Sequence, residues 1–141
     1  MKVAIGCDHG GIDLKDIIKS VLTDLGHEID DQGCYSSESV DYPNFAKSVS
    51  LLVKDGKCDR GILICGTGIG MSMAANRIPG IRAALCHEMF SARMSREHND
   101  ANILCLGARV IGQGLAAEVV KTWMTTDFVG GRHQRRIDMF K

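Results

Sequence analysis

Gly61-Ile62-Leu63-Ile64-Cys65 is an uninterrupted apolar run, and Gly66-Thr67-Gly68-Ile69-Gly70 follows it without a break. A short, branched run without charge suits a strand covered on both faces, the environment at the centre of a parallel sheet. The glycine-rich turn then predicts a helix to about Arg77, closed by a turn at Pro79-Gly80.

The rest of the chain repeats this alternation. Lys2 to Gly6 reads as a strand. Ile12 to Leu25 reads as a helix with Leu14, Ile17, Ile18, Val21, Leu22 and Leu25 on one stripe, ending at Gly26. Glu28 to Asp31 is a weaker strand, and the Ser-rich stretch 34–40 is a loop. Tyr42 to Lys54 is a helix with Phe45, Val49, Leu52 and Val53 inward. Arg82 to Cys86 and Ile103 to Leu106 read as strands. Glu88 to Glu97 and Gly112 to Met124 read as helices, the second carrying Leu115, Val119, Val120 and Trp123. Five such repeats predict an α/β fold with a parallel sheet and right-handed crossovers. The 141 residues fit one domain, 1–141, without linker or internal repeat. Ligands of such sheets bind beyond the carboxyl ends of the strands, where strand order reverses.

Charge and cysteine usage narrow the function. Seventeen Lys and Arg balance seventeen Asp and Glu. Nucleic-acid and membrane binders usually carry a basic excess, so neither partner is expected. No signal peptide or membrane-length apolar run is visible, which points to the cytoplasm. The six cysteines form no C-x-x-C pair, so neither a structural zinc site nor a thioredoxin motif is expected. Five read as small core residues.

Four segments carry candidate chemistry. Cys7-Asp8-His9-Gly10-Gly11 follows the first strand, where ligand contacts are expected; it also reads as a tight turn with Asp8 or Asp13 capping the next helix. Cys65 stands immediately before Gly66, Gly68 and Gly70. Their N–H groups can converge on an anion, and positive potential there favours a thiolate. A dinucleotide fingerprint fails because position 71 is Met71, and a Walker loop fails because Thr67 stands where Lys is needed. Glu97-His98-Asn99-Asp100 closes a helix, and Asn99 suits a left-handed cap. Gly131-Arg132-His133-Gln134-Arg135-Arg136 is a basic tail. Arg132 and Arg136 share a face if it is helical and could fork onto one phosphate; otherwise it is a solvated end.

Taken in order, Gly6 to Gly11, Asp41-Tyr42-Pro43, Cys65 to Gly70, Glu97 to Asn102, and Gly131-Arg132-His133 with Arg136 resemble ribose-5-phosphate isomerase type B over essentially the whole chain. The resemblance implies a Rossmann-like three-layer sandwich with a five-stranded parallel sheet. It implies interconversion of ribose 5-phosphate and ribulose 5-phosphate without metal or cofactor. It also implies a homodimer or homotetramer with sites at the subunit interface. One branch of the family uses a cysteine base and another a glutamate further into the loop; Cys65 places this chain in the first. By the same resemblance His98 opens the sugar ring, and Thr67 shuttles a hydroxyl proton. Asp8 and Asn99 hold sugar hydroxyls, and Tyr42 lines the site. Gly66, Gly68, Ile69 and Gly70 offer N–H groups to the enediolate. His9, Arg109, Arg132 and Arg136 clamp the phosphate. Relatives acting on galactose 6-phosphate or allose 6-phosphate are rival readings. A non-catalytic phosphosugar-binding module and a thiol redox protein are others.

Overall fold

In the computed structural model, which describes residues 1–140, strands and helices alternate. The strands are β1 (Lys2–Cys7), β2 (Glu28–Asp31), β3 (Arg60–Cys65), β4 (Ala83–Leu85) and β5 (Ile103–Gly107). The helices are α1 (Ile12–Asp24), α2 (Tyr42–Lys54), α3 (Ile69–Ala75), α4 (Met89–Glu97), α5 (Gln113–Thr125) and α6 (Arg132–Ile137). The five strands form one sheet in the order β2-β1-β3-β5-β4, every pair parallel. The expected three-layer α/β architecture is therefore present, with strand order reversing between β1 and β3.

The sheet explains the apolar runs. All six residues of β3 are buried, and successive side chains enter opposite layers, the two-residue period of a strand. Ile62 and Ile64 join Val3, Ile5, Leu104 and Leu106 in a core with Leu14 and Ile18 of α1 and Val120 and Trp123 of α5. Leu63 and Cys65 join Ala4, Ile103 and Cys105 in a second core with Ala46 and Val49 of α2 and Met71 and Ala75 of α3. The Val, Leu, Ile and Met side chains buried this completely contribute about 1.5–3 kcal/mol each. Cys65 thus belongs to the α2/α3 face of the sheet.

Several details depart from the sequence pattern. β4 is shorter than expected at both ends, and α3 stops at Ala75 rather than Arg77. Neither Asp8 nor Asp13 caps α1; its N-cap is Gly11. Leu115 is 43% exposed, and Ala116 takes the inward position on α5. Lys15, one residue off the apolar stripe of α1, is only 1% exposed. Its Nζ donates to Asp31 Oδ1 and to the Cys34 carbonyl, each at 2.9 Å, tying α1 to the end of β2 and the segment after it. Burial pushes the Asp31 carboxyl up, but bonds from Lys19, the Gly33 N–H and Lys15 outweigh it and hold the group below its ordinary pKa. The tail is not a loose end: Arg132–Ile137 is helical, with His133 and Ile137 buried. Among the described residues, no helix is long and apolar enough to cross a membrane.

Candidate active site

The chain leaves β1 and β3 side by side, so Cys7-Asp8 and Cys65-Gly66 emerge at the point where strand order reverses. The Asp8 N–H donates to the Ile64 carbonyl at 3.1 Å, while Asp8 Oδ1 accepts from the Gly10 N–H at 2.9 Å. A methyl group placed on Gly10 would lie 3.3 Å from Asp8 Oδ1 and 3.7 Å from both the Gly66 nitrogen and Arg109 Nη2. After β5 the chain folds over the same spot. The Ala108 N–H bonds the Cys65 carbonyl at 2.8 Å and the Arg109 N–H bonds the Gly66 carbonyl at 3.0 Å. Asp8, Gly10, Cys65, Gly66 and Arg109 are thereby gathered at one place, although they are far apart in the chain. His9 Nδ1 accepts from the Val40 N–H at 3.2 Å. Beside it, His9, Gly10, Ile12, Asp13, Tyr35 and Ser37 line a cavity of about 360 Å³.

The glycine loop is organised around the thiol. Gly68 adopts a left-handed backbone, φ 76°, which glycine takes without strain. That turn aims its N–H at Cys65 Sγ, 3.1 Å away. The Ile69 N–H donates to Thr67 Oγ1 at 3.3 Å. Two of the N–H groups expected to face an anion are therefore directed at the loop's own side chains. The ring of Tyr42 closes over Gly70, where a methyl group would come within 2.6 Å of it. Thr67 and Ile69 are exposed, whereas Cys65 is 5% exposed. All six cysteines are free and buried.

The remaining expected residues lie elsewhere. α4 runs back from the end of β4, so His98, its C-cap, sits at the amino end of the sheet. There Asn102 follows and its carbonyl accepts the Gly61 N–H at 2.9 Å. Four residue steps along β3 separate that level from Cys65, roughly 13 Å at the usual strand rise. The His98 ring stacks on His133 with centroids 4.2 Å apart and planes at 10°. His133 lies in the first turn of α6, which presents Arg132 and Arg136 to solvent. Burial, then the positive neighbours His98, Arg132 and Arg136, hold the His133 imidazole below its ordinary pKa. Asn99 is exposed beside His98, but the left-handed residue is Asp100, φ 44°, not Asn99. Asp100 is held there by Arg82 and Arg96 at 2.9 and 2.8 Å. The expected site residues therefore fall into two groups at opposite ends of the sheet: Asp8, His9, Tyr42, Cys65, Thr67 and Arg109, and then His98, Asn99, Arg132 and Arg136. Sequence reasoning assigned no role to His133 or His87. His133 could have been found from its place between the two arginines; His87 has no comparable signal. Among the described residues, no group of three or more His, Cys, Asp or Glu is placed to hold a metal ion.

A parallel α/β sheet with a thiol-bearing glycine loop at its switch point, and a histidine–arginine cluster at its other end, defines a narrow class. The chain belongs to the Ribose/Galactose Isomerase family, whose profile matches residues 3–140. It is 50% identical over 137 residues to ribose-5-phosphate isomerase B of Escherichia coli (strain K12), covering 97% of this chain and 92% of that protein. It is 42% identical over 139 residues to D-erythrulose-4-phosphate isomerase of Pectobacterium atrosepticum, covering 98% and 91%. The structure of Clostridium thermocellum ribose-5-phosphate isomerase B superposes with a TM-score of 0.96 at 56% identity, covering 98% and 93%.

Proposed function

We propose that this chain interconverts ribose 5-phosphate and ribulose 5-phosphate through an enediolate, with Cys65 as the base. The observation that carries the reading is the half-identity to the Escherichia coli enzyme over nearly the whole of both chains. The gathering of Asp8, Gly66 and Arg109 around Cys65 supports the assignment of roles.

The steps follow from the groups present. His98 gives and takes a proton to open the furanose ring, a task suited to imidazole near neutral pH. The Cys65 thiolate removes the proton on C2 and returns it to C1. Thr67 moves the hydroxyl proton between the two oxygens, so the reaction needs no other reactant. The Gly68 N–H steadies the sulfur, and a charged sulfur is the stronger acceptor. Loop N–H groups not already bonded to side chains steady the enediolate oxygen. Asp8 and Asn99 hold sugar hydroxyls, and Tyr42 bounds the site over Gly70. His9, Arg109, Arg132 and Arg136 hold the phosphate, whose binding energy fixes the reacting carbons in place.

This set is complete only if two copies of the chain meet. In a homodimer, the amino end of one sheet is set against the carboxyl end of the other, so His98, Asn99, Arg132 and Arg136 of one protomer face Cys65 of its partner. Such dimers can pair further into a tetramer. The surface beside the thiol loop fits this use. Ile69 and Met73, four apart on α3, are 51% and 65% exposed, an apolar strip of the kind that marks an interface.

The test is direct. Ribose 5-phosphate is incubated with the protein and EDTA, and ketose formation is followed beside allose 6-phosphate, galactose 6-phosphate and erythrose 4-phosphate. The expected result is the highest kcat/KM on ribose 5-phosphate with no loss in chelator. A higher value on another sugar reassigns the substrate. Turnover of none of them overturns the reading in favour of a phosphosugar-binding module.

A further inference from the structure

We propose that His87 is a positioning residue for the Cys65–Gly70 loop, acting through the Gly107 N–H. The inference rests on the isomerase reading above, which makes that loop the reacting one.

β4 ends at Leu85, opposite Cys105, while β5 continues to Gly107. The N–H groups of β5 alternate between its two neighbours. The Ile103 N–H points to the β4 side, where it reaches the Arg82 carbonyl, and by the two-residue period the Gly107 N–H points the same way. No strand residue remains there to accept it. His87 Nε2 does so instead, at 2.8 Å. An unpaired N–H at this partly buried place would be costly, so the imidazole completes the sheet.

Gly107 is where the thiol loop rests. It pairs with Cys65 across the sheet, and a methyl group on it would lie 2.6 Å from the Thr67 carbonyl oxygen and 2.8 Å from Thr67 Cα. Ala108 and Arg109 then bond the Cys65 and Gly66 carbonyls. A shift of Gly107 therefore moves Thr67 directly and the backbone of Cys65 through its neighbours.

The latch works only while Nε2 carries a lone pair. The titratable groups around the joint are Cys86 and Glu88 beside His87, Cys105 on β5, and Cys65 and Arg109 around Gly107. Glu88 is turned to the Phe90 and Ser91 N–H groups at the start of α4. Burial alone holds the His87 imidazole below its ordinary pKa of 6.5. The imidazole therefore stays neutral at its ordinary pKa and above, and the latch is lost only as pH falls through the lowered value.

His87→Ala removes the acceptor, whereas His87→Gln keeps an acceptor oxygen that does not titrate. His87→Ala is expected to lower kcat on ribose 5-phosphate about tenfold with KM within about twofold. His87→Gln is expected to hold kcat within about threefold at pH 8 and to move the acid limb of kcat to lower pH. In ¹⁵N-labelled parent protein, the Gly107 amide resonance should titrate together with the His87 ring, and in His87→Gln it should stay still. Parental kcat and an unchanged acid limb in both variants overturn the proposal, as does a Gly107 amide that ignores His87 titration. If His87→Ala does not fold, the Gln variant and the amide titration decide. If the parent does not isomerise ribose 5-phosphate, the functional reading has failed, and the amide titration decides the His87–Gly107 latch alone.

Discussion

At the scale of the residue, Cys65 differs from Cys7, Cys58, Cys86 and Cys105 in its setting. Burial pushes the Cys7 thiol up to about 12, against a smaller opposing effect of the Lys15 charge. Burial also raises Cys58, Cys86 and Cys105. These thiols stay protonated and inert near neutral pH. Cys65 instead has a backbone N–H on its sulfur and an exposed threonine two residues on. Iodoacetate should therefore carboxymethylate Cys65 first, and ribose 5-phosphate should protect it; peptide mapping by mass spectrometry reads both. Cys65→Ala should abolish isomerisation and leave the fold intact, since losing one sulfur costs about 1–2 kcal/mol. Cys65→Ser should be nearly inactive too, because a hydroxyl is a far weaker base. Near-normal turnover in Cys65→Ala would remove the thiol from the mechanism. A different cysteine reacting first would count against the assigned setting.

At the scale of the element, α6 decides whether the tail arginines form a clamp. Arg132 and Arg136 are four apart on one short helix, so both guanidinium groups can address a single phosphate. Either change to Ala should raise KM about tenfold or more with a smaller effect on kcat, and the double change should be less than additive. Parental KM in both variants would return the tail to a solvated role. Elements differ in how plainly the sequence announces them. β1, β3 and β5 are legible because a strand buried on both faces must be a continuous apolar run. α1 and α2 are legible through their stripes. α6 is not, because only Ile137 and the partly apolar His133 face inward, too few for a period. Lys15 misleads for a related reason: its charge reads as solvent-facing, but Asp31 and the Cys34 carbonyl satisfy it inside. The glycine loop announces a turn, but not that Gly68 would aim its N–H at the thiol. The order of the motifs supplied the expected site residues, yet nothing in it tells which ends of the sheet they occupy.

At the scale of the whole molecule, the division of the site becomes a testable property. Cys65 and His98 lie at opposite ends of one sheet, so a site assembled from both must take them from different protomers. This gives two inactive variants a way to restore each other. On the proposed reading, dimers of Cys65→Ala lack the base at both sites, and dimers of His98→Asn lack the ring-opening group at both. A mixed dimer has one site with both defects and one with neither. Equal amounts unfolded and refolded together should form mixed dimers as half the population, each with one working site of two. Recovered activity should approach about a quarter of the parent's, and pairing of dimers into tetramers leaves that fraction unchanged. Mixing without unfolding should recover less, and more slowly, as subunits must exchange. Ribulose 5-phosphate formation from ribose 5-phosphate is the measurement, with size-exclusion chromatography to establish the assembly. No recovery from a refolded mixture that forms normal dimers would mean that each site draws Cys65 and His98 from the same chain, which requires a large movement of α4 and α6 across the sheet.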